Sequence, residues 1–212
     1  MQPSLFDTPL QDIRREGLAI LRGFALPEVP ALLAGIDHVV AAAPFRHMNV
    51  PGGGTMSVAM TNCGAAGWVT DAKSYRYAAV DPLNNVPWPE MPEVFSALAQ
   101  RAACAAGFGT FMPDACLINR YEAGAKMGLH QDRDEAYFGA PIVSVSLGLP
   151  ARFQFGGLMR KDPVETIVLV HGDVAVWGGP LRKAFHGVAP LKAGLHESVG
   201  AKRFNLTMRK AL

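Results

Sequence analysis

His130-Gln131-Asp132 sets an imidazole and a carboxylate two residues apart, so that on an extended backbone both project to one side and can bind one ion together. A third ligand, His186, lies 54 residues beyond Asp132, where a sheet folding back could bring it alongside. Two histidines and one carboxylate on one face of a metal leave positions open for O2 and a co-substrate, the arrangement of non-haem iron(II) oxygenases. Near the end of the chain, Arg203-Phe204-Asn205-Leu206-Thr207-Met208-Arg209 is polar at every odd position and apolar at every even one. Such a strand either faces solvent at a sheet edge or, inside a barrel, offers two guanidinium forks and an amide to a small dicarboxylate. Asn119 and Tyr121 repeat the two-residue spacing on the strand before His130. They complete a polar pocket around that acid, or else make ordinary hydrogen bonds. His38, His47, His171 and His196 have no partner at ligand spacing and are read as structural or surface residues.

The elements that must position these groups can be read from periodicity and from turn residues. Pro27 to Ala43 and Pro92 to Ala106 each carry proline near the start and apolar residues at helical spacing, and the second stops at Gly107, so two helices are expected. Between them, from Phe45 to Pro89, the chain is rich in Gly, Asn, Pro, Trp and Tyr, with a short strand at Thr55 to Thr61, and reads as a loop-and-hairpin region presenting aromatics. After Phe108 come short β-rich runs: Ala115 to Tyr121, Ile142 to Leu147, Arg152 to Phe155, Glu165 to Val170, Asp173 to Trp177 and Lys202 to Arg209. No helix-length segment separates them, which disfavours βαβ units and points to a sandwich or barrel.

The chain has 212 residues, enough for one domain with a substantial core and a tight fit for two. It is 50% apolar and 18% charged, which excludes a disordered chain, and no apolar run approaches the roughly 20 residues needed to cross a bilayer. Met1 to Leu10 has no basic residue leading into a long apolar segment and lacks the layout of a secretory signal. Cys63, Cys104 and Cys116 are widely spaced and suit reduced thiols, so a soluble cytoplasmic protein is expected. Residues 1–150 hold 10 Lys/Arg against 14 Asp/Glu, and residues 151–212 hold 10 against 4, giving balances of −4 and +6. The basic C-terminal third is either a solvated face or a surface that meets phosphates.

Taken in order, N-x-Y at Asn119 and Tyr121, H-x-D at His130 and Asp132, the distant His186 and R-x-N-x-x-x-R at Arg203, Asn205 and Arg209 resemble the AlkB family of alkylated-DNA-repair dioxygenases. The likeness extends to the aromatic segment around Trp68 and Tyr75 and to Asp134. It implies an α+β, mainly β fold: a double-stranded β-helix, or jelly roll, over 108–212, preceded by an N-terminal helical framework with a nucleotide-recognition lid at about 45–90 within 1–107. By the same resemblance His130, Asp132 and His186 hold Fe(II), while Arg203 and Tyr121 bind the far carboxylate of 2-oxoglutarate. Asn119 and Arg209 lie toward its chelating end and Asn205 braces the pocket. Trp177 and Thr207 support the site, although a buried Trp in a sandwich core is the blander account of the first.

With O2, the implied reaction hydroxylates an N-methyl group, which leaves as formaldehyde while 2-oxoglutarate becomes succinate and CO2. N1-methyladenine and N3-methylcytosine are cationic, and a base flipped from DNA or RNA would stack between Trp68 and His130 with Asp134 at its exocyclic nitrogen. Tyr75, Arg76, Tyr77 and Arg160 would contact the backbone or sugar side. Each has a plainer alternative: Trp68 as lid core, Asp134 as a turn residue, Arg160 as solvated surface. Gly52-Gly53-Gly54 with Met56 and Met60 suggests a pliable lid. A monomer is expected, with single-stranded or duplex nucleic acid as the partner and no membrane. The rival readings are the same chemistry on a protein side chain or metabolite, and a jelly-roll binding module without chemistry.

Overall fold

The computed structural model describes residues 10–212, so the reading of the extreme N-terminus lies almost wholly outside the described residues. The first half of the chain contains β1 (Ile13–Arg15), β2 (Leu18–Leu21), α1 (Val29–Ala42), β3 (Arg46–Asn49), β4 (Thr55–Gly64), β5 (Gly67–Thr70), β6 (Tyr75–Ala78), β7 (Val80–Asp81), β8 (Val86–Pro87) and α2 (Glu93–Ala105). The second half contains β9 (Ala115–Tyr121), β10 (Met127–His130), β11 (Ile142–Gly148), β12 (Ala151–Phe155), β13 (Glu165–Leu169), β14 (Val174–Trp177), β15 (His186–Val188) and β16 (Arg203–Arg209). Eight strands form a large sheet in the order β1-β2-β14-β11-β16-β9-β4-β3, and four form a small one in the order β10-β15-β12-β13. Every pairing is antiparallel. From β9 onward the chain passes back and forth: β9, β11, β14 and β16 lie in the large sheet, β10, β12, β13 and β15 in the small one. Two sheets wound together by one chain in this way are a double-stranded β-helix.

Both helices occur where proline and apolar spacing place them, and they cover the outer face of the large sheet. Leu32, Ile36 and Val39 of α1 and Phe95, Leu98 and Ala102 of α2 share a core with Ile118, Val143, Val145, Phe204, Leu206 and Met208. Gly35 permits the close approach of the helices, because a Cβ there would lie 2.8 Å from the Phe95 ring. A second core fills the space between the sheets, where Leu117, Tyr121, Ile142 and Trp177 meet Phe153, Phe155, Ile167 and Leu169. Strand β16 is therefore buried on both faces. Its apolar residues meet the helices, and Arg203, Asn205, Thr207 and Arg209, each under a tenth exposed, point into the barrel. The solvent-edge reading of its alternation is thereby excluded.

Several expectations are corrected. The hairpin expected between Phe45 and Pro89 includes β5 and β6, whereas β10 and β15 fall outside the expected runs, because three or four residues lacking β-branched runs carry little local signal and form only through pairing. Strand β10 ends at His130 and Asp132 lies past it, so the H-x-D pair does not share one extended strand. Met60 is fully buried within β4 and packs the inter-sheet core, which rules it out as an adaptable lid contact; Gly52 and Gly53, with φ of 91° and 83°, form the β3–β4 turn. No helix among the described residues is long and apolar enough to cross a membrane. Because Leu206 separates the two inward-facing polar residues Asn205 and Thr207 and is wholly buried against the helices, Leu206→Ala should cost about 2–5 kcal/mol. Urea unfolding followed by circular dichroism should show a lower midpoint with an unchanged slope.

Candidate active site

The pocket is assembled from strands of both sheets. Strands β10 and β15 pair with His130 opposite His186, which sets the two imidazoles 4.4 Å apart between ring centroids. The pairing is tight at Gly187, where a Cβ would lie 2.7 Å from the Met127 carbonyl, so any side chain there would push β15 off β10. In each histidine Nδ1 faces a backbone carbonyl, Gly128 O at 2.9 Å for His130 and Ala184 O at 3.0 Å for His186. A carbonyl only accepts, so Nδ1 carries the proton and Nε2 presents its lone pair. Both Nε2 atoms point to Asp132, at 3.6 Å from Oδ1 for His130 and 3.8 Å from Oδ2 for His186. The ligand atoms of the three residues all lie within 4.8 Å of one another. This donor set, two imidazoles and one carboxylate with each ring held by a backbone acceptor, fits a non-haem iron(II) ion.

Arg209 fixes the carboxylate, its Nε and Nη2 lying 2.8 and 2.7 Å from Asp132 Oδ2. Burial alone would raise the Asp132 pKa, but the charge of Arg209, helped by His186 and His130, holds it well below the usual carboxylate range. Burial, then His130, pull His186 down to about 4 despite Asp132, so it is neutral and able to bind a metal at pH 7. Trp177, tilted against the His186 ring at a centroid distance of 4.8 Å, completes the wall.

The inward face of β16 and its neighbour β9 form the rest of the cavity. The register puts Arg203 opposite Tyr121 and Asn205 opposite Asn119. Asn205 is saturated: Nδ2 donates to Ser144 Oγ at 2.8 Å and Val145 O at 3.0 Å, and Oδ1 accepts from Thr207 Oγ1 and Asn119 Nδ2. Arg203 is not. Its guanidinium sits 5.0 Å from the Tyr121 ring and donates once, from Nη2 to Ser146 Oγ, while Nε and Nη1 are buried with no acceptor from the chain. A buried fork with two unused donors calls for an anion, and a carboxylate fits it. The cavity runs between this fork and the His130, His186 and Arg209 end, which suits a dicarboxylate that also reaches a metal.

Of the remaining sequence-derived residues, Trp68, Tyr75, Tyr77 and Asp134 come together around the loop after β10 and Arg160 reaches the backbone of β10, whereas Arg76 bonds only within its own segment. Trp68 Nε1 donates to Asp134 Oδ2 at 2.9 Å, and Tyr75 stacks on Trp68 at 5.7 Å and 21°. Arg76 pairs with Asp71 at 2.8 Å, and Arg160 lies over the Phe185 ring and donates to Leu129 O at 3.2 Å. Tyr77, expected to face the backbone or sugar side, directs its hydroxyl inward to Glu135 Oε1 at 3.1 Å. Glu135, Arg182, Ser144 and Ser146 escaped sequence reasoning. Ser144 and Ser146 alternate with Val143, Val145 and Leu147, a period-two signal that could have marked them as one face of a strand, whereas nothing in local spacing marks Arg182, and Glu135 next to Asp134 reads as an ordinary acidic loop.

A double-stranded β-helix enclosing two histidines, one carboxylate and an unpaired arginine fork defines an iron- and oxo-acid-dependent oxygenase. The family model described as the 2OG-Fe(II) oxygenase superfamily matches residues 17–209. The chain is 55% identical over 205 residues to the alpha-ketoglutarate-dependent dioxygenase AlkB of Salmonella typhimurium, covering 97% of this chain and 95% of that protein. It is 56% identical over 203 residues to AlkB of Escherichia coli, covering 96% and 94%. The solved structure of OsALKBH1 superposes with a TM-score of 0.82 at 30% identity, covering 95% of this chain and 100% of that one. The chain belongs to the AlkB family within the 2OG-Fe(II) oxygenase superfamily, and it is an iron(II)- and 2-oxoglutarate-dependent dioxygenase.

In the metal-free protein the depressed His186 pKa has a consequence for stability. Below about 6.5 the unfolded chain takes up a proton here that the folded chain refuses until about 4, so stability falls as pH drops through that window. Urea midpoints measured with chelator across it should decline for the native sequence, and His186→Asn should flatten the decline.

Proposed function

We propose that the enzyme oxidatively demethylates alkylated nucleic-acid bases, with N1-methyladenine and N3-methylcytosine as substrates. The observation that carries this reading is the Trp68–Asp134 pair, an aromatic face and an exposed carboxylate joined at 2.9 Å, two residues along the chain from Asp132. An aromatic face attracts a cation by roughly 0.5–2 kcal/mol, and a carboxylate adds to it and accepts an exocyclic N–H. The two lesions are positively charged and lack a Watson–Crick partner, so they flip out more readily than intact bases.

His130, Asp132 and His186 hold the iron, with Arg209 fixing Asp132 and the two backbone carbonyls fixing the rings. When bound, iron(II) with O2 and 2-oxoglutarate supplies the hydroxylation of the N-methyl group, which is then lost as formaldehyde alongside succinate and CO2. Arg203 and Tyr121 seat the far carboxylate of the co-substrate, Asn119 and Arg209 lie toward its other end, and Asn205 braces them. Trp68 and the exposed edge of His130 sandwich the base, and Asp134 accepts from its exocyclic nitrogen. Tyr75, Arg76 and Arg160 line the approach of the strand, with Tyr77 beneath them. Residues 45–90 act as the nucleotide lid of a framework spanning 1–107, over a catalytic core at 108–212.

Free Cys63, Cys104 and Cys116 suit a reducing cytoplasm, where the enzyme would act as a monomer on DNA or RNA. The test is anaerobic loading with iron(II), then incubation with 2-oxoglutarate, O2 and a short single-stranded oligonucleotide carrying N1-methyladenine, read by mass spectrometry. One methyl should be lost with matching formaldehyde and succinate, and Asp132→Ala should abolish all three. Succinate without demethylation would redirect the search to another substrate. Arg203→Leu should raise the KM for 2-oxoglutarate by about tenfold or more, the value of a charge-assisted hydrogen bond, with a smaller effect on the KM for the oligonucleotide.

A further inference from the structure

Asp134 and Glu135 are consecutive, and each holds one member of a cross-strand pair of the β5–β6 hairpin. Trp68 and Tyr77 are register partners in that hairpin. The indole N–H donates to Asp134 Oδ2 at 2.9 Å and the phenol O–H to Glu135 Oε1 at 3.1 Å. The two contacts differ in their surroundings. Asp134 is exposed, whereas Glu135 is 6% exposed and lies between buried guanidiniums, Arg209 Nε at 3.3 Å and Arg182 Nη2 at 3.3 Å. Arg209 also grips the Asp132 carboxylate, and Arg182 Nη1 donates to the Asp132 carbonyl at 3.2 Å. A continuous set of buried polar contacts thus runs from the hairpin through Tyr77 and Glu135 to Asp132.

If, as the proposed function has it, a base presents its exocyclic N–H to Asp134, it competes with the Trp68 indole for that carboxylate. Asn62, bonded to the Trp68 N–H and carbonyl at 3.0 Å each, and Trp88 Nε1, which donates to the Ala78 carbonyl at 2.9 Å, hold the hairpin to its own side of the cleft. The hairpin then loses, however, one of the two side-chain contacts that tie it to the loop after β10 at the moment when it must close on the nucleotide. We propose that Glu135 is a positioning residue that retains the hairpin through Tyr77 while Asp134 turns from Trp68 to the base, and that it ties this closure to the placement of Asp132. The exposed contact is the exchangeable one, because water can replace either partner. The enclosed one is not, since breaking it strands the Tyr77 hydroxyl and leaves Glu135 Oε1 only its ion pair with Arg209 Nε at 3.3 Å, in a site with little solvent.

Tyr77→Phe removes one hydroxyl and keeps the ring. Amide hydrogen exchange across residues 67–78 is read in the full chain, without nucleic acid and with the methyladenine oligonucleotide on the anaerobic iron and 2-oxoglutarate complex. The native protein should gain protection on adding the oligonucleotide. The variant should exchange about tenfold faster in that state and show an oligonucleotide KM raised by about tenfold, with a smaller change in kcat. Glu135→Leu, which removes the acceptor, should reproduce the loss of protection, and the double variant should lose little beyond the Glu135 change alone. Native-like hairpin exchange in Tyr77→Phe, or fully additive effects of the two substitutions, would overturn the proposal. A wild-type protein that makes no formaldehyde would instead overturn the substrate reading, while exchange without nucleic acid still reports on the Tyr77–Glu135 contact.

Discussion

The structure depends on a row of polar side chains carried inside an apolar barrel by one strand that is buried on both faces. Arg203, Asn205, Thr207 and Arg209 are all nearly inaccessible, and a buried charge is tolerated only with a partner. Asp132 supplies that partner for Arg209, and their pairing holds the carboxylate ionised and the guanidinium well above its ordinary pKa. Removing one member of such a pair leaves an uncompensated charge at a cost of about 3–5 kcal/mol. The ion pair that orients the metal-facing carboxylate is therefore also a condition of the folded state.

The neighbouring strands are matched to this row. Ser146 of β11 and Asn119 of β9 stand opposite Asn205, and Ser144 stands opposite Thr207. Asn205 Nδ2 donates to Ser144 Oγ and the Val145 carbonyl, its Oδ1 accepts from Asn119 Nδ2, and Ser146 Oγ accepts from Arg203. Arg203 is the exception: two of its buried donors have no acceptor from the chain, the opening that the proposed co-substrate carboxylate would fill. Burial lowers the Arg203 pKa and raises that of Tyr121, which leaves the phenol neutral as a hydrogen-bond donor for an anion. On the outer side, Phe204, Leu206 and Met208 lock the strand to the helices, so the polar face is held in place by packing it does not touch.

Around the mouth, geometry assigns work to residues of the same type according to burial. Asp134 and Glu135 are adjacent acids on one short loop; one is open to solvent and binds an indole, the other is enclosed by two arginines and binds a phenol. Arg182 does a related job, tying the loop after β10 to the turn before β15 through the Asp132 and Ala140 carbonyls.

Much of this was legible in the chain itself. Strict alternation in residues 203–209 specified which side chains share a face of β16, because side-chain period in a strand is set by the backbone alone. Proline starts and apolar spacing specified both helices for the same kind of local reason. The donor types at His130, Asp132 and His186 restricted the metal chemistry, since two imidazoles and a carboxylate favour few ions. Which face of β16 would be inward was not legible, because alternation serves an exposed edge as well as a barrel wall, and the helices decided it by covering the apolar side. Nor were β10 and β15, whose few residues become strands only when Gly187 lets them pair. The roles of Tyr77, Glu135 and Arg182 likewise belong to the tertiary structure. A carboxylate acquires its partners and its dielectric surroundings from residues 47 to 74 positions away, and no local pattern records contacts made at that separation.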